Sequence, residues 1–336
     1  MHFPSPTRGR RPAHLLLALA AAAALGGCSL PKFMSRGGGE PARAAAPAAA
    51  AVAAPATAAA APPMARVPGC LSPAQIDGWM RAYEARRPVP DLPAGFGSDA
   101  ADCTRAFFQQ ALAARMGPLV GYKAGLTNPA VQKRFKTDQP VWGALYGRML
   151  LDNGATVDAA FGARPLYEAD LLVRVKSSAI NQARTAAEVL AQVDQIIPFI
   201  ELPDLMVETP ARLDGPGITA INVGARLGVR GTPLAVPADA AARDRLLAQL
   251  RDMDVRLVDG QGAALGGGKG RDVLGHPLHA VVFLAIALNA EGTLLQPGQL
   301  LSLGSFSALL PPRPGLRATV HYDGVPGLQP VSVQFR

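Results

Sequence analysis

Cysteine is scarce. The chain has 3 in 336 residues, with no CxxC pair and no Cys/His cluster, so a zinc-type site is excluded. There is no G-x-S-x-G, which removes the serine-hydrolase elbow. The glycine-rich GGGKG at 266–270 lacks the following Ser/Thr and the spacing of a phosphate loop. Aromatic residues make up only 5%, and the basic excess sits in the wrong place for a nucleic-acid face. Of the net +8, residues 1–68 carry +6, seven Lys/Arg against Glu40 alone, which leaves +2 on everything after them. A near-neutral, aromatic-poor body excludes nucleic acid as a partner. No internal repeat is visible.

What is there begins with a targeting pattern. Arg8, Arg10 and Arg11 precede the apolar LLLALAAAAAL (15–25), which is too short to span a bilayer alone. It ends in LGGC, and Leu25–Cys28 resembles the lipobox of bacterial lipoproteins, which implies lipidation at Cys28. Ser29, with no Asp there, implies an exported, periplasm-facing chain held at the outer membrane. Residues 1–28 therefore read as a signal peptide, and 29–68 as an Ala/Pro linker with nothing large to bury. Its prolines keep it extended as a tether. In an exported protein Cys70 and Cys103 can form a disulfide, the alternative being two unpaired thiols.

The body, 69–336, opens with two helical patterns, 72–87 and 98–116. Ser72 stands as the N-cap and Pro73 as the first residue of the first helix. Short strand-like runs follow at 118–126, 166–175, 195–202, 255–260, 299–306 and 317–324. Helical patterns at 185–193, 240–250 and 277–292 interrupt them. The alternation is irregular, so the fold class is α+β, a helical N-terminal part and a β-rich body, rather than a doubly wound sheet.

Three acids stand in apolar settings. Glu168 and Asp170 lie two apart in LYEADLLVRV, so on a strand they share a face, where like charges repel unless something positive lies between them. Glu201 ends the run QIIPFIE. Each alone reads as a solvated carboxylate, with Arg174 available as a partner for the first two. Together they form a hard oxygen set suited to Mg2+, Mn2+ or Ca2+. Lys123, in GYKAGLT, either snorkels outward or is held inside, where it could move a proton. Asp138 reads as a turn-former and His276 as a capping or packing residue. Gly304 and Ser305 could present an N–H or hydroxyl to an anionic group, although any strand-end turn reads the same way.

In order, GYKAGLTNPAVQKRF…DQPVWGALYGRML, YEADLLVRV, IIPFIELPDL and RDVLGHPLHAVVFLAIAL…LQPGQLLSLGSF resemble the 2-keto-4-pentenoate hydratase branch of the fumarylacetoacetate hydrolase superfamily. The resemblance covers about residues 72–336. It implies a mixed β-roll and a Mg2+ or Mn2+ site on Glu168, Asp170 and Glu201, with Lys123 as the proton-moving residue. It also implies a small unsaturated 2-oxo acid as substrate and a homo-oligomer. Two features depart from the family: its E-x-E pair is E-x-D here, and Ile221 stands where an Asp is expected, with Asn222 kept. Three functions follow as expectations: a hydratase, a related 2-oxo acid decarboxylase or C–C hydrolase, and a tethered binding module that has lost catalysis.

Overall fold

The computed structural model describes residues 67–336. The signal-peptide and lipidation readings, including Cys28, and nearly all of the linker lie outside the described residues. No helix among the described residues is long and apolar enough to cross a membrane.

The body is α+β. Its helices are α1 (Pro73–Glu84), α2 (Ser98–Met116), α3 (Pro129–Arg134), α4 (Ala186–Ala191), α5 (Gly215–Ala220), α6 (Ala240–Asp252) and α7 (His279–Ala290). Its strands are β1 (Leu119–Gly125), β2 (Val141–Tyr146), β3 (Leu150–Asp152), β4 (Thr156–Val157), β5 (Glu168–Val175), β6 (Val193–Leu202), β7 (Leu227–Arg230), β8 (Leu234–Ala235), β9 (Asp254–Val258), β10 (Ala264–Lys269), β11 (Leu300–Ser302), β12 (Arg317–Asp323) and β13 (Val331–Phe335).

The first two helices form where the sequence marks them. Ser72 caps α1 in a reciprocal box with Gln75, and Pro73 occupies the first turn, where its missing N–H costs nothing. Ile76, Trp79, Met80 and Tyr83 recur at helical spacing and are buried. Trp79 meets Phe108 of α2 edge-on at 5.5 Å. A disulfide joins Cys70, just before α1, to Cys103 in α2.

The strands make two sheets. The larger runs β2-β1-β11-β5-β6-β7-β3, with β8 added to β6, and the smaller runs β10-β9-β12-β13-β4. Strand β5 reads as a nearly unbroken apolar run because both its faces are covered. Pro198 sits in the central strand β6, where an absent N–H would normally break a ladder. It is tolerated because the pairing of β6 with β7 starts at Phe199 and its pairing with β8 covers only Gln195 and Ile196.

Glycine-rich 264–269 is an edge strand, β10, rather than a loop. Strand β11 is shorter than its sequence pattern, because the chain turns at Gly304 with φ +96°.

Candidate active site

Strand register gathers the charged residues. Across β5 and β6, Glu168 pairs directly with Glu201 and Asp170 with Phe199. Across β11, Leu172 pairs with Ser302, and Ser302 pairs with Lys123 of β1. Directly paired residues, and residues two apart, point to one face. Lys123, Ser302, Glu168, Asp170 and Glu201 therefore share one side of the sheet, although they come from four strands.

They are not solvated. Lys123 is 2% exposed, Glu168 8%, Asp170 0% and Glu201 2%. The reading of a solvated pair partnered by Arg174 is thus corrected. Arg174 lies near the far end of β5 and forks onto Asp194 at 2.8 and 2.9 Å. Lys123 does not snorkel: its ammonium donates to Glu201 Oε1 and, at 2.9 Å, to the Val223 carbonyl. Both oxygens of Asp170 accept hydrogen bonds, Oδ2 from the Ser302 hydroxyl and Oδ1 from the Leu171 N–H at 2.6 Å. Glu201 Oε2 is buried with no partner at all.

Burial is the main cause that pushes the Glu168 carboxyl up, to about 8, and the charge of Glu201 adds to it. Asp170 rises to about 7 for the same two reasons, against the pull of the Ser302 hydroxyl. Three carboxylates facing one ammonium are over-supplied with negative charge, and a second cation would relieve them. An orphaned buried oxygen and a hard oxygen set are what a divalent ion takes. In donor chemistry the residues fit Mg2+ or Mn2+. As placed, the acids are turned to different partners. No group of three His, Cys, Asp or Glu among the described residues is already gathered for an ion, so the acids must turn toward one another to hold one.

A cavity of about 200 Å³ opens onto this face. Its polar lining includes Lys123, Glu168, Asn128, Arg134 and Ser305, beside the Gly304 turn, and its apolar lining includes Leu126, Val131, Phe135 and Ile218. At Gly304 a side chain would run into Thr127 as well as strain the backbone, so glycine is required there.

The other expectations fall outside this cavity. Asp138 is exposed. His276 is buried; its Nδ1 accepts from the Leu278 N–H at 3.1 Å and its other ring nitrogen meets the Leu247 carbonyl at 3.0 Å, a packing role. Ile221, at the position where an Asp is expected, is 1% exposed and belongs to the core.

Two residues had no clear mark in the sequence. Ser302 sits inside an ordinary apolar strand. Tyr322, from β12 of the smaller sheet, has its hydroxyl buried between β5 and β6. It accepts from the Phe199 N–H at 3.0 Å and donates to the Asp170 carbonyl at 2.5 Å, fixing the two acid-bearing strands relative to each other. Only the three-dimensional packing brings that hydroxyl there.

No protein-family model matches the chain. It is similar to 4-oxalocrotonate decarboxylase of Pseudomonas putida, 28% identical over 225 residues, 66% of this chain and 79% of the relative. It is also similar to 2-keto-4-pentenoate hydratase of Paraburkholderia xenovorans (strain LB400), 27% identical over 211 residues, 62% and 73% of the two chains. Among solved structures, 4-oxalocrotonate decarboxylase from Pseudomonas putida G7, complexed with magnesium and adipate, matches with a TM-score of 0.68 at 24% identity. That match covers 79% of this chain and 99% of the other, and it establishes the shared fold.

Proposed function

We propose that this chain is a divalent-metal-dependent hydratase that adds water to a short unsaturated 2-keto or 2-hydroxy-dienoic acid. The observation that carries the reading is a buried lysine among three buried carboxylates, facing a small and largely apolar cavity. Sequence similarity to a named hydratase supports the reaction class. Glu168, Asp170 and Glu201 would hold Mg2+ or Mn2+, which supplies Lewis-acid polarisation of the substrate's carboxylate and 2-oxo oxygens. The rest falls to the chain's own groups. Lys123, at the cavity wall, moves the proton when the dienol ketonises. The turn at Gly304 and Ser305 offers polar groups to the substrate's anionic end. Leu126, Val131, Phe135 and Ile218 pack the hydrocarbon and exclude bulk water from it.

A second reading, loss of CO2 from a related 2-oxo acid, has its own support. A decarboxylase relative is at least as similar in sequence as the hydratase, and the structure with a TM-score of 0.68 is also a decarboxylase. Both reactions begin at the same polarised 2-oxo acid, so product analysis separates them.

The proposal includes an exported chain anchored through a lipid on Cys28 and working as a homo-oligomer. Incorporation of labelled fatty acid, abolished by Cys28→Ser, tests the anchor. For the reaction, the metal-stripped chain is titrated with Mn2+, then given 2-hydroxypenta-2,4-dienoate. Saturable metal binding that Glu168→Gln removes, with metal-dependent decay of the dienol absorbance, is the expected result. Absence of site-dependent metal binding overturns it.

A further inference from the structure

Next to the candidate active site the backbone adopts a conformation that side-chain-bearing residues avoid. Asn222, Val223 and Gly224 have φ of +54°, +55° and +65°, a full turn in the left-handed region. Glycine and asparagine tolerate single left-handed residues; a β-branched valine does not, and consecutive ones are rarer still. Such strain persists only where the surroundings enforce it, and it concentrates at functional sites.

The surroundings here are specific. The Asn222 carboxamide pairs with the open backbone edge of β2 as another strand would. Its Oδ1 accepts from the Ala144 N–H at 2.7 Å and its Nδ2 donates to the Ala144 carbonyl at 3.0 Å. Gln109 of α2 donates to the same Oδ1 at 2.8 Å. Two glycines make the space. A side chain at Gly143 would lie 2.5 Å from the Asn222 carbonyl, and one at Gly125 would collide with Val223. Strands β1 and β2 and helix α2 thus converge on this turn. Its outcome is a carbonyl, that of Val223, aimed at the Lys123 ammonium 2.9 Å away.

We propose that the left-handed turn at 222–224, clamped by Asn222, is the positioning element for Lys123: its Val223 carbonyl holds the ammonium at the cavity wall independently of Glu201. This rests on the reading of Lys123 as the proton-moving residue. Lys123 has two partners, and one of them, Glu201, is also a proposed ligand of the metal. Without the Val223 carbonyl, a four-carbon side chain released by Glu201 would lose its fixed place. With it, the lysine stays at the cavity wall while the acids change partner. Asn222 and Val223 are positioning residues; neither needs to touch the substrate.

The test follows the Lys123 ammonium by 1H–15N correlation at low temperature in the full chain with Mg2+, assigned by its loss in Lys123→Arg. The wild type is expected to show the signal of an ammonium held in slow exchange. Asn222→Gly, which tolerates the backbone but removes the clamp, is expected to lose it. In turnover, Asn222→Gly is expected to lower kcat about 30- to 100-fold, the scale of a displacement near 1 Å. KM and Mn2+ affinity should stay within about two-fold, because no group that contacts metal or substrate has changed. Gln109→Ala removes only one of the three bonds to the carboxamide and serves if Asn222→Gly does not fold; a smaller kcat loss at unchanged KM is expected. Absence of the signal in the Mg2+-loaded wild type, or its persistence in the variant, overturns the proposal. So does a joint fall of kcat, metal affinity and melting temperature, which marks a merely structural residue. If the wild type turns over no dienoate, the hydratase reading fails, and the ammonium signal alone decides whether the turn positions Lys123.

Discussion

Lys123→Met removes the ammonium from among the three buried acids and leaves a side chain of similar length. In the metal-free protein Glu201 then has neither oxygen paired, since Oε2 already lacks a partner and Oε1 has lost Lys123. Removing one member of a buried ion pair costs about 3–5 kcal/mol, because the remaining charge is left uncompensated. For a body of this size each kcal/mol moves the melting temperature by about 2–4 °C. The metal-free variant should therefore melt about 6–20 °C below wild type. A divalent ion at the same carboxylates supplies the missing positive charge, so Mn2+ should raise the variant's melting temperature by more than it raises that of wild type. Thermal melts in EDTA and in excess Mn2+, both proteins side by side, read this directly. An equal Mn2+ shift in the two proteins would refute the idea that ammonium and metal serve the same charge.

Without metal, stability should depend on pH with opposite signs in two windows. Glu168 and Asp170 have folded-state pKa values raised to about 8 and about 7, so the folded chain holds more protons than the unfolded one, and stability falls as pH rises through those values. Saturating Mn2+ should flatten that fall, and a metal-free melting temperature that is level from pH 5 to 8 counts against the buried-acid geometry. His276 acts the other way: burial lowers it to about 4, so its contribution is present above its ordinary value near 6.5 and is lost as pH falls toward 4. His276→Gln should lessen the acid-side loss in the same melts. The Cys70–Cys103 bridge closes a sequence separation of 33 residues, and the loop-entropy relation gives about 3.7 kcal/mol for that length. Paired Cys→Ser substitution should lower the melting temperature by about 7–15 °C, and a change below about 2 °C would mean the crosslink constrains little. Gly304→Ala places a methyl group against Thr127 and strains a backbone at φ +96°; turnover should fall at least about ten-fold while Mn2+ affinity holds, and unchanged turnover removes this turn from the substrate's path.

Much of this was legible in the residues because its signals are local. Ser72, Pro73 and the spacing from Ile76 to Tyr83 mark α1 within the chain itself. The i, i+2 placement of Glu168 and Asp170 puts them on one face of any strand, and Glu201 ends an apolar run that can only be a core strand or a core helix. The register that sets Glu201 opposite Glu168, and Lys123 opposite Ser302, is not local. It depends on which strands neighbour which, and β11 enters the sheet beside β5 after more than a hundred intervening residues. Short strands such as β3 and β7 carry too few residues to show alternation. Strand β10 is hidden by glycines that suit an edge exposed to solvent. The left-handed turn at 222–224 is the least legible feature, since valine there contradicts every local preference; only the space left by Gly125 and Gly143 explains it.

That contradiction bears on whether the body is an enzyme or a binding module. A left-handed valine costs about 1–2 kcal/mol. Four buried ionisable side chains add a desolvation cost that well-packed apolar residues of similar volume would avoid. The four charged groups are not spread over the fold: they meet at one end of β1, β5 and β6, and Lys123 and Glu168 line one cavity there. Single left-handed residues also occur elsewhere, at Arg86, Lys136 and Leu274, but the consecutive pair Asn222 and Val223 adjoins this cavity. The charged core side chains away from it, such as Arg226 with Asp204, are paired: Asp204 meets Arg226 at 3.2 Å and also accepts backbone N–H groups from Ala163 and Arg164. A surface that only had to hold a partner would gain nothing from a buried acid with an oxygen left unpaired. A site that must take up a cation and move a proton uses the spare oxygen for the first task and a lysine held by two partners for the second. The gathering of buried charge, with one carboxylate oxygen unpaired, therefore favours catalysis over simple binding.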